Sequence, residues 1–528
     1  MTRARRVLAA ACVTALLSGL APDRAPAAPL WALGVDSLQA RLADGRLSSV
    51  ELVRACLARI DSLDRRGPAL RAVLEINPDA PEIAAALDEE RRARGPRGPL
   101  HGIPVLLKGN IDTGDRLSTT AGSLALAGHH ATRDAFLVTR LREAGAVILG
   151  KTNLSEWANF RSTRASSGWS SQGGQTRNPH DPARSPCGSS SGSAVALAAG
   201  YAPLAVGTET DGSIVCPAGT CGVVGLKPTL GLVSRAGVIP IAHSQDTAGP
   251  MARSARDAAL LLQALAAHDS ADAATQGLPW PAPDYAAALG DGRLEGLYIG
   301  VVRDFAGAGT RPEVEACYTQ AVAVLQRLGA RVVDPVTLGP TDGLDAAELE
   351  VLLTEFKADL AAYLGGHGAP NGLRGLDDLI LYDAANHAQV MPWFAQELFE
   401  QAAAQGPLTD PAYREALATG RRLARNAIDG AIRRERLDLL IAPTNGPAWA
   451  IDVLNGDNFA AAVSSSTLPA VAGYPALSVP MGQAWGLPLG LTLFGSALDE
   501  PALLRAAHAF ETAVPPPAPP DFQHHELP

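Results

Sequence analysis

Short apolar runs alternating with amphipathic stretches constrain the fold of this chain more than any other feature. Residues 103–107, 146–149, 204–206 and 298–302 are such runs, and stretches such as 135–143 and 256–267 place apolar residues at helical spacing between them. Continuous apolar runs of this length suit strands buried on both faces, and the intervening helices suit crossover connections. A second set of runs, 439–442, 476–479 and 489–493, returns near the C-terminus. Residues 341–435 lie between the two sets, rich in alanine and poor in strand signals. Strand material that frames a helical part predicts an α/β fold: a single large domain over 28–528 with a helical cap-like insert at 341–435. Residues 34–66 and 81–94 read as helical, and the Pro-rich tail 515–528 as peripheral.

The N-terminus carries an address. Arg3, Arg5 and Arg6 precede the apolar run 7–20, which is followed by Ala25-Pro26-Ala27. A basic start, an apolar middle and a small-residue cleavage site read as a secretory signal peptide over 1–27. The run falls short of the roughly 20 residues that span a bilayer. An exported protein is expected, periplasmic or secreted, with no membrane anchor. Beyond Cys12 the cysteines are Cys56, Cys187, Cys216, Cys221 and Cys317, too scattered for a disulfide framework. One bridge, Cys216 with Cys221, is the candidate. No metal-type His/Cys spacing occurs, so neither a metal nor another cofactor is expected.

Charge excludes one class of partner and narrows the chemistry. With 44 Lys+Arg against 54 Asp+Glu the chain is net negative and lacks the basic footprint of a nucleic-acid binder. The only lysines are Lys108, Lys151, Lys227 and Lys357. Arginine keeps its proton in proteins, whereas a buried lysine can lose it. A reaction that needs a neutral side-chain amine has these four candidates.

Three motifs compete. Gly145-Ala-Val-Ile-Leu-Gly150-Lys151-Thr152 matches the phosphate-loop spacing, but its interior is apolar and reads as a strand rather than a polar loop. Gly188-Ser189-Ser190-Ser191-Gly192 matches the nucleophile elbow of α/β-hydrolases with Ser190 at its tip; the lead-in contains two prolines and no strand pattern. The third constellation joins Lys108, at the end of the run 103–107, to the serine loop 187–193 and to Thr208-Glu-Thr-Asp-Gly-Ser213-Ile214. Burial would lower the proton affinity of such a strand-end lysine. Consecutive amides in the turn before Ser213 could receive an oxyanion.

The segments Gly102-Ile-Pro-Val-Leu-Leu-Lys108-Gly-Asn110, Gly150-Lys-Thr-Asn-Leu-Ser-Glu-Trp157, Pro186-Cys-Gly-Ser-Ser-Ser-Gly-Ser193, Gly207-Thr-Glu-Thr-Asp-Gly-Ser-Ile214 and Gly225-Leu-Lys-Pro-Thr229 together resemble the amidase signature family. Late segments at 441–444 and 473–480 fit too, so the resemblance runs from about residue 36 to 510. It implies an α/β fold with a central mixed, twisted β-sheet covered by helices on both faces. It also implies a serine hydrolase of carboxamides, with Ser213 as nucleophile, Ser189 as a proton relay behind a cis peptide bond, and Lys108 as general base and acid. The amides of Thr210, Asp211, Gly212 and Ser213 would form the oxyanion hole. The family often writes Gly-Gly-Ser-Ser-Gly-Gly where this chain has Cys187-Gly-Ser-Ser-Ser191-Gly, and often places arginine after Ser-Ile where this chain has Val215-Cys216. Both departures, together with the text at 151–160, 173–179 and 185–192, are most similar to the bacterial peptide amidase branch. That branch implies hydrolysis of a peptide's C-terminal amide, with a small peptide or another small amide as substrate. A generic aliphatic or aryl amidase is the near alternative, and an esterase using Ser190 a distant one. A tRNA-dependent amidotransferase role is disfavoured by the acidic charge and the export signal. A non-catalytic binding module is disfavoured because Lys108, Ser189 and Ser213 are all present.

Overall fold

The computed structural model describes residues 28–304, 309–458, 463–515 and 517–525; the expected signal peptide at 1–27 lies outside the described residues. The strands in chain order are β1 (Val73–Ile76), β2 (Pro104–Lys108), β3 (Val147–Thr152), β4 (Trp169–Ser170), β5 (Gly174–Gln175), β6 (Leu204–Glu209) and β7 (Val224–Lys227). They continue with β8 (Thr247–Ala252), β9 (Tyr298–Val302), β10 (Arg331–Val336), β11 (Leu439–Pro443), β12 (Ala476–Ala484) and β13 (Leu487–Phe494). Apart from a small β4–β5 hairpin, they form one 11-stranded sheet in the order β1-β3-β2-β6-β8-β7-β12-β13-β11-β9-β10. The sheet is mixed, as expected: β2 runs parallel to β3 and β6, and β9 parallel to β10 and β11, while β6–β8, β7–β8, β7–β12 and β12–β13 are antiparallel. Helices flank it, among them Ser49–Leu63, Ser191–Ala198, Ala255–Leu265, Pro312–Arg327 and Glu500–Ala513.

Every residue of β2, β3 and β6 is buried, which is why these strands read as unbroken apolar runs and not as alternating ones. The phosphate-loop look-alike is β3 and the turn before it. The Lys151 amine donates there to the Ile111 carbonyl and the Thr119 hydroxyl, so it is part of the core and holds no phosphate. The helical region at 34–66 divides into Val35–Ala43 and Ser49–Leu63. Gly45 in the left-handed region turns the chain, and a capping box between Ser48 and Glu51 starts the second helix.

The part at 341–435 is helical, with Leu344–His367, Leu376–Ala385, Glu397–Ala403 and Pro411–Glu435 as its main elements. Phe356, Leu360, Tyr363 and Phe399 from these helices share an apolar cluster with Trp157, Phe160, Ile239 and Ile241 from loops beside the sheet. The helices thereby brace the loops around the site. The tail does not stand away from the domain. Phe522 packs against the main core, and His524 Nδ1 lies 2.9 Å from a carboxylate oxygen of buried Asp181. Among the described residues no helix is long and apolar enough to cross a membrane.

Candidate active site

β2 and β6 are parallel neighbours with Leu107 opposite Val206, so Lys108 and Thr208 leave the sheet side by side at its C-terminal edge. Such edges are where α/β sheets gather reactive groups. Lys108 is fully buried. Its Nζ lies 2.7 Å from Ser189 Oγ, 2.8 Å from Thr208 Oγ1 and 3.0 Å from the Thr208 carbonyl. Burial pulls its pKa from the ordinary lysine value down to about 7, against the opposing pull of the Glu209 and Asp246 carboxylates.

Lowered proton affinity alone does not single this lysine out. Burial brings Lys151 and Lys227 down to about 8 as well. Lys227 donates to the Pro228 carbonyl, and Lys357 donates to the carbonyls of Ala403 and Gln405. Of the four lysines, Lys108 is the one whose amine meets a serine of the Gly-Ser loop.

Ser189 follows a cis Gly188–Ser189 peptide bond, the feature the family resemblance implies. Gly188 has no room for a side chain: a Cβ there would meet Ser155 Oγ at 2.3 Å. Ser190 begins the helix Ser191–Ala198, and its N–H donates to the Ser213 carbonyl at 3.1 Å, docking the two serine-bearing segments against each other.

The hydroxyls of the three consecutive serines have separate fates. Ser190 Oγ donates to the Thr208 carbonyl at 3.0 Å and accepts from the Thr208 N–H at 3.2 Å, and Ser191 Oγ donates to the Cys187 carbonyl. Ser190 is thus committed to the edge of β6 behind the cavity wall, which removes the basis for an elbow nucleophile there. Ser190→Ala is expected to cost about 1–3 kcal/mol of stability by removing two buried hydrogen bonds to Thr208, whose carbonyl keeps only the Lys108 amine. Most of the amidase activity should survive, as read by denaturant unfolding beside ammonia release.

Ser213 lies in the wall of a cavity of about 340 Å³ together with Thr210, Asp211 and Gly212. Gly212 takes a left-handed conformation, and a Cβ on it would press on Ser466 Oγ at 2.9 Å. Glu209 shapes the end of this turn. Its Oε2 accepts the N–H groups of Ile214 at 2.6 Å and Val215 at 3.0 Å, capping the helix Val215–Cys221 that begins directly after the turn. Burial raises the Glu209 pKa, and the Lys227 charge pulls it back. The Asp211 carboxylate accepts from Thr467 Oγ1 at 2.8 Å and the Thr210 hydroxyl donates to Asp246 at 2.6 Å, so both side chains of the turn are tied outward.

The remaining walls include Phe160, Ile241, Leu352, Trp449 and Val463, drawn from segments far apart in the chain. Ala158 and Asn159 also line the cavity, and Trp157, Ala158 and Asn159 are three successive non-glycine residues at positive φ. None of these wall residues stands out in the sequence, because nothing in a linear pattern brings 158, 352, 449 and 463 together.

The cysteine pairing differs from the expected one. The disulfide joins Cys187 to Cys216, and Cys221 is a buried free thiol. Cys216 and Cys221 sit five positions apart on the helix Val215–Cys221, so their side chains diverge around its axis. Cys187 and Cys216 both line the cavity.

His243, Glu355 and Asp359 bring three metal-type ligand atoms within 4.8 Å of one another near an adjoining cavity. Protein donors occupy these carboxylates: Ser244 N–H and Tyr413 OH on Glu355, and the N–H and ring nitrogen of His243 on Asp359. The hydrogen bond to Asp359 raises the His243 pKa, and these contacts fasten the loop at 243 to the helix Leu344–His367.

The same fold recurs in known proteins. The Amidase family model matches residues 51–504, and the chain belongs to that family as an amide-hydrolysing enzyme. The crystal structure of native peptide amidase from Stenotrophomonas maltophilia is 51% identical with a TM-score of 0.88, covering 94% of this chain and 100% of that one. A probable amidase of Arabidopsis thaliana is 39% identical over 499 residues, 92% of this chain and 91% of that protein. A glutamyl-tRNA(Gln) amidotransferase component of Roseiflexus castenholzii is 40% identical over 488 residues, 92% of this chain and 96% of that protein.

Proposed function

We propose that this enzyme removes the C-terminal amide of peptides, with Ser213, Ser189 and Lys108 as its proton-transfer relay. The observation that carries the reading is the 2.7 Å contact of the buried Lys108 amine with Ser189, beside a cavity whose wall holds Ser213. A neutral amine has two N–H donors and one lone pair. The donors satisfy the two oxygens of Thr208, and the lone pair then faces the Ser189 hydroxyl.

Ser213 gives its proton to Ser189 as it attacks the carboxamide carbon, and Ser189 passes its own to Lys108. The amides of Thr210, Asp211, Gly212 and Ser213 receive the oxyanion, each well-aimed donor contributing about 3 kcal/mol to the transition state. Lys108, now charged, returns the proton through Ser189 to the leaving nitrogen, and ammonia departs. Water repeats the sequence on the acyl-enzyme and releases the carboxylate.

The 51% identity to a peptide amidase over essentially its whole length supports a peptide substrate over the transamidation for which the 40% identical amidotransferase relative is named. The apolar wall of Phe160, Ile241, Leu352 and Trp449 suits the side chain of a terminal residue. The net negative charge gives no support to a tRNA substrate. We propose further that the enzyme is exported and works outside the cytoplasm. The Cys187–Cys216 bridge supports this, since disulfides persist in oxidising compartments.

The test is product analysis on an amidated dipeptide with an apolar C-terminal residue. One ammonia and one free carboxyl per molecule are expected, with the internal peptide bond intact. Internal cleavage, or faster turnover of simple aryl amides than of any peptide amide, would overturn the peptide assignment.

A further inference from the structure

We propose that the Cys187–Cys216 disulfide is a positioning cross-link of the reaction centre, so that amide hydrolysis depends on its being oxidised. The proposal rests on the reading of Ser213, Ser189 and Lys108 given above. Cys187 precedes Ser189 by two residues, and Cys216 follows Ser213 by three. The bridge, with its Cα atoms 6.0 Å apart, therefore joins the loop that carries the relay serine to the helix that starts behind the nucleophile. Both cysteines line the Ser213 cavity. They also fall among the positions where the chain departs from the pattern common in its family, which are 187, 191 and the pair 215–216. Two separate departures that meet as one covalent bond on the wall of the reaction cavity indicate a shared purpose.

The other tethers of this loop hold it differently. Ser191 Oγ donates to the Cys187 carbonyl at 2.6 Å, and the Cys187 N–H donates to Ser185 Oγ at 3.1 Å, both within the loop and its own helix. Thr220 Oγ1 donates to the Pro186 carbonyl at 2.7 Å, reaching the far end of the helix Val215–Cys221. The Ser190 N–H bond to the Ser213 carbonyl joins the two serine segments at the nucleophile itself. It is the disulfide that fixes the loop to the first turn of the helix after Ser213. Cys187 is moreover at φ +57°, a conformation that a non-glycine residue leaves when nothing holds it there. Loss of the bridge leaves this residue held by its two hydrogen bonds within the loop alone, and a shift of the loop away from the helix carries the Ser189 hydroxyl with it. A shift of about 1 Å between reacting groups costs up to about a hundredfold in rate.

Cys216 is half-buried on the cavity wall, the side from which a small dithiol would reach the bridge. A thiolate of dithiothreitol attacks one sulfur of the bridge, forms a mixed disulfide and expels the other cysteine as a thiolate. The second thiol of the reagent then closes its ring and releases the first cysteine. Two electrons and two protons pass from reagent to protein, leaving Cys187 and Cys216 as thiols and the reagent as a cyclic disulfide.

The experiment measures kcat and KM on a peptide amide while thiols are titrated during reduction. As two additional thiols appear, kcat should fall about tenfold to a hundredfold with KM within about twofold, and reoxidation should restore it. A Cys187→Ser/Cys216→Ser enzyme should begin at the lowered kcat and ignore dithiothreitol, whereas Cys317→Ser should respond like the parent. Full kcat after release of both thiols, or in the folded double variant, would overturn the proposal. So would a loss of activity that follows a loss of far-UV ellipticity, which makes the bridge a stabiliser of the fold and no positioning device. If the double variant does not fold, reduction of the parent enzyme decides. An active Ser213→Ala enzyme would overturn the site assignment itself; an inactive Ser213→Ala beside a fully active reduced enzyme overturns the cross-link alone.

Discussion

Ser213→Ala is expected to abolish amide hydrolysis, lowering kcat by about 10³-fold or more while the enzyme still folds and binds its peptide. Removal of a serine nucleophile in related chemistry costs up to about 10⁶, because no neighbouring group replaces the covalent step. Here the nearby Ser190 cannot substitute, since its hydroxyl is held between the carbonyl and the N–H of Thr208. Ser213 is nearly buried yet reaches the cavity, and its substitution removes one oxygen without opening the core. Stability should therefore shift by no more than about 1 kcal/mol. The Kd for the peptide amide, read by inhibitor competition or calorimetric titration of the inactive variant, should stay within a few-fold of the parent's affinity, because the walls at Phe160, Leu352 and Trp449 are untouched. The paired result with Ser190→Ala is the discriminating one. Activity lost at 213 and kept at 190 fits the Lys–Ser–Ser relay, and the reverse pattern would restore the esterase-type elbow.

How much of this can be read from the chain depends on how local each signal is. β2, β3, β6 and β9 are legible because a strand buried on both faces writes itself as an apolar run. β7 and β8 are not. Val224–Lys227 and Thr247–Ala252 contain Gly225, Gly249 and Pro250, poor strand formers by themselves. They are strands because β6 and β12 pair with them on their outer sides, and Gly249 is required there because a Cβ would meet the Leu226 carbonyl at 2.1 Å. Tertiary pairing overrides local preference.

The site divides the same way. Lys108 announces itself as a lysine closing an apolar strand, and the Gly-Ser loop announces a backbone of unusual shape. Which of Ser189, Ser190 and Ser191 faces the lysine is a matter of the loop's path, and only the resemblance to a family supplies it. The disulfide is hidden by proximity in sequence, which favours Cys216 with Cys221. Helical geometry separates that pair, while the chain path brings residues 29 positions apart together. The two departures from the family pattern, at 187 and after 214, are the available sign of it.

Lys108→Met is expected to do two opposite things: abolish activity and stabilise the fold at neutral pH. In the parent enzyme the active form is the neutral amine. With a pKa of about 7, kcat/KM should fall about tenfold for each pH unit below 7, and this acid limb should be absent from any residual rate of the variant. The stability effect follows from linkage. The folded-state pKa of Lys108, about 7, lies below its ordinary value of 10.5. Between those values the unfolded chain holds the proton and the folded protein does not, so Lys108 makes folding less favourable as pH falls from 10.5 to 7, with no further change below 7. At about 1.4 kcal/mol per pH unit the burden at pH 7 is of the order of 5 kcal/mol. Methionine has nearly the same length and carries no charge, so it removes that burden. It also removes three hydrogen bonds, worth about 1 kcal/mol each. The balance is a variant about 1–2 kcal/mol more stable than the parent at pH 7 and less stable than it above about pH 8, measured by denaturant unfolding from pH 7 upward. A stability difference that does not change between pH 7 and 10.5 would mean that the amine keeps its proton in the folded enzyme, and the relay would then lack its base.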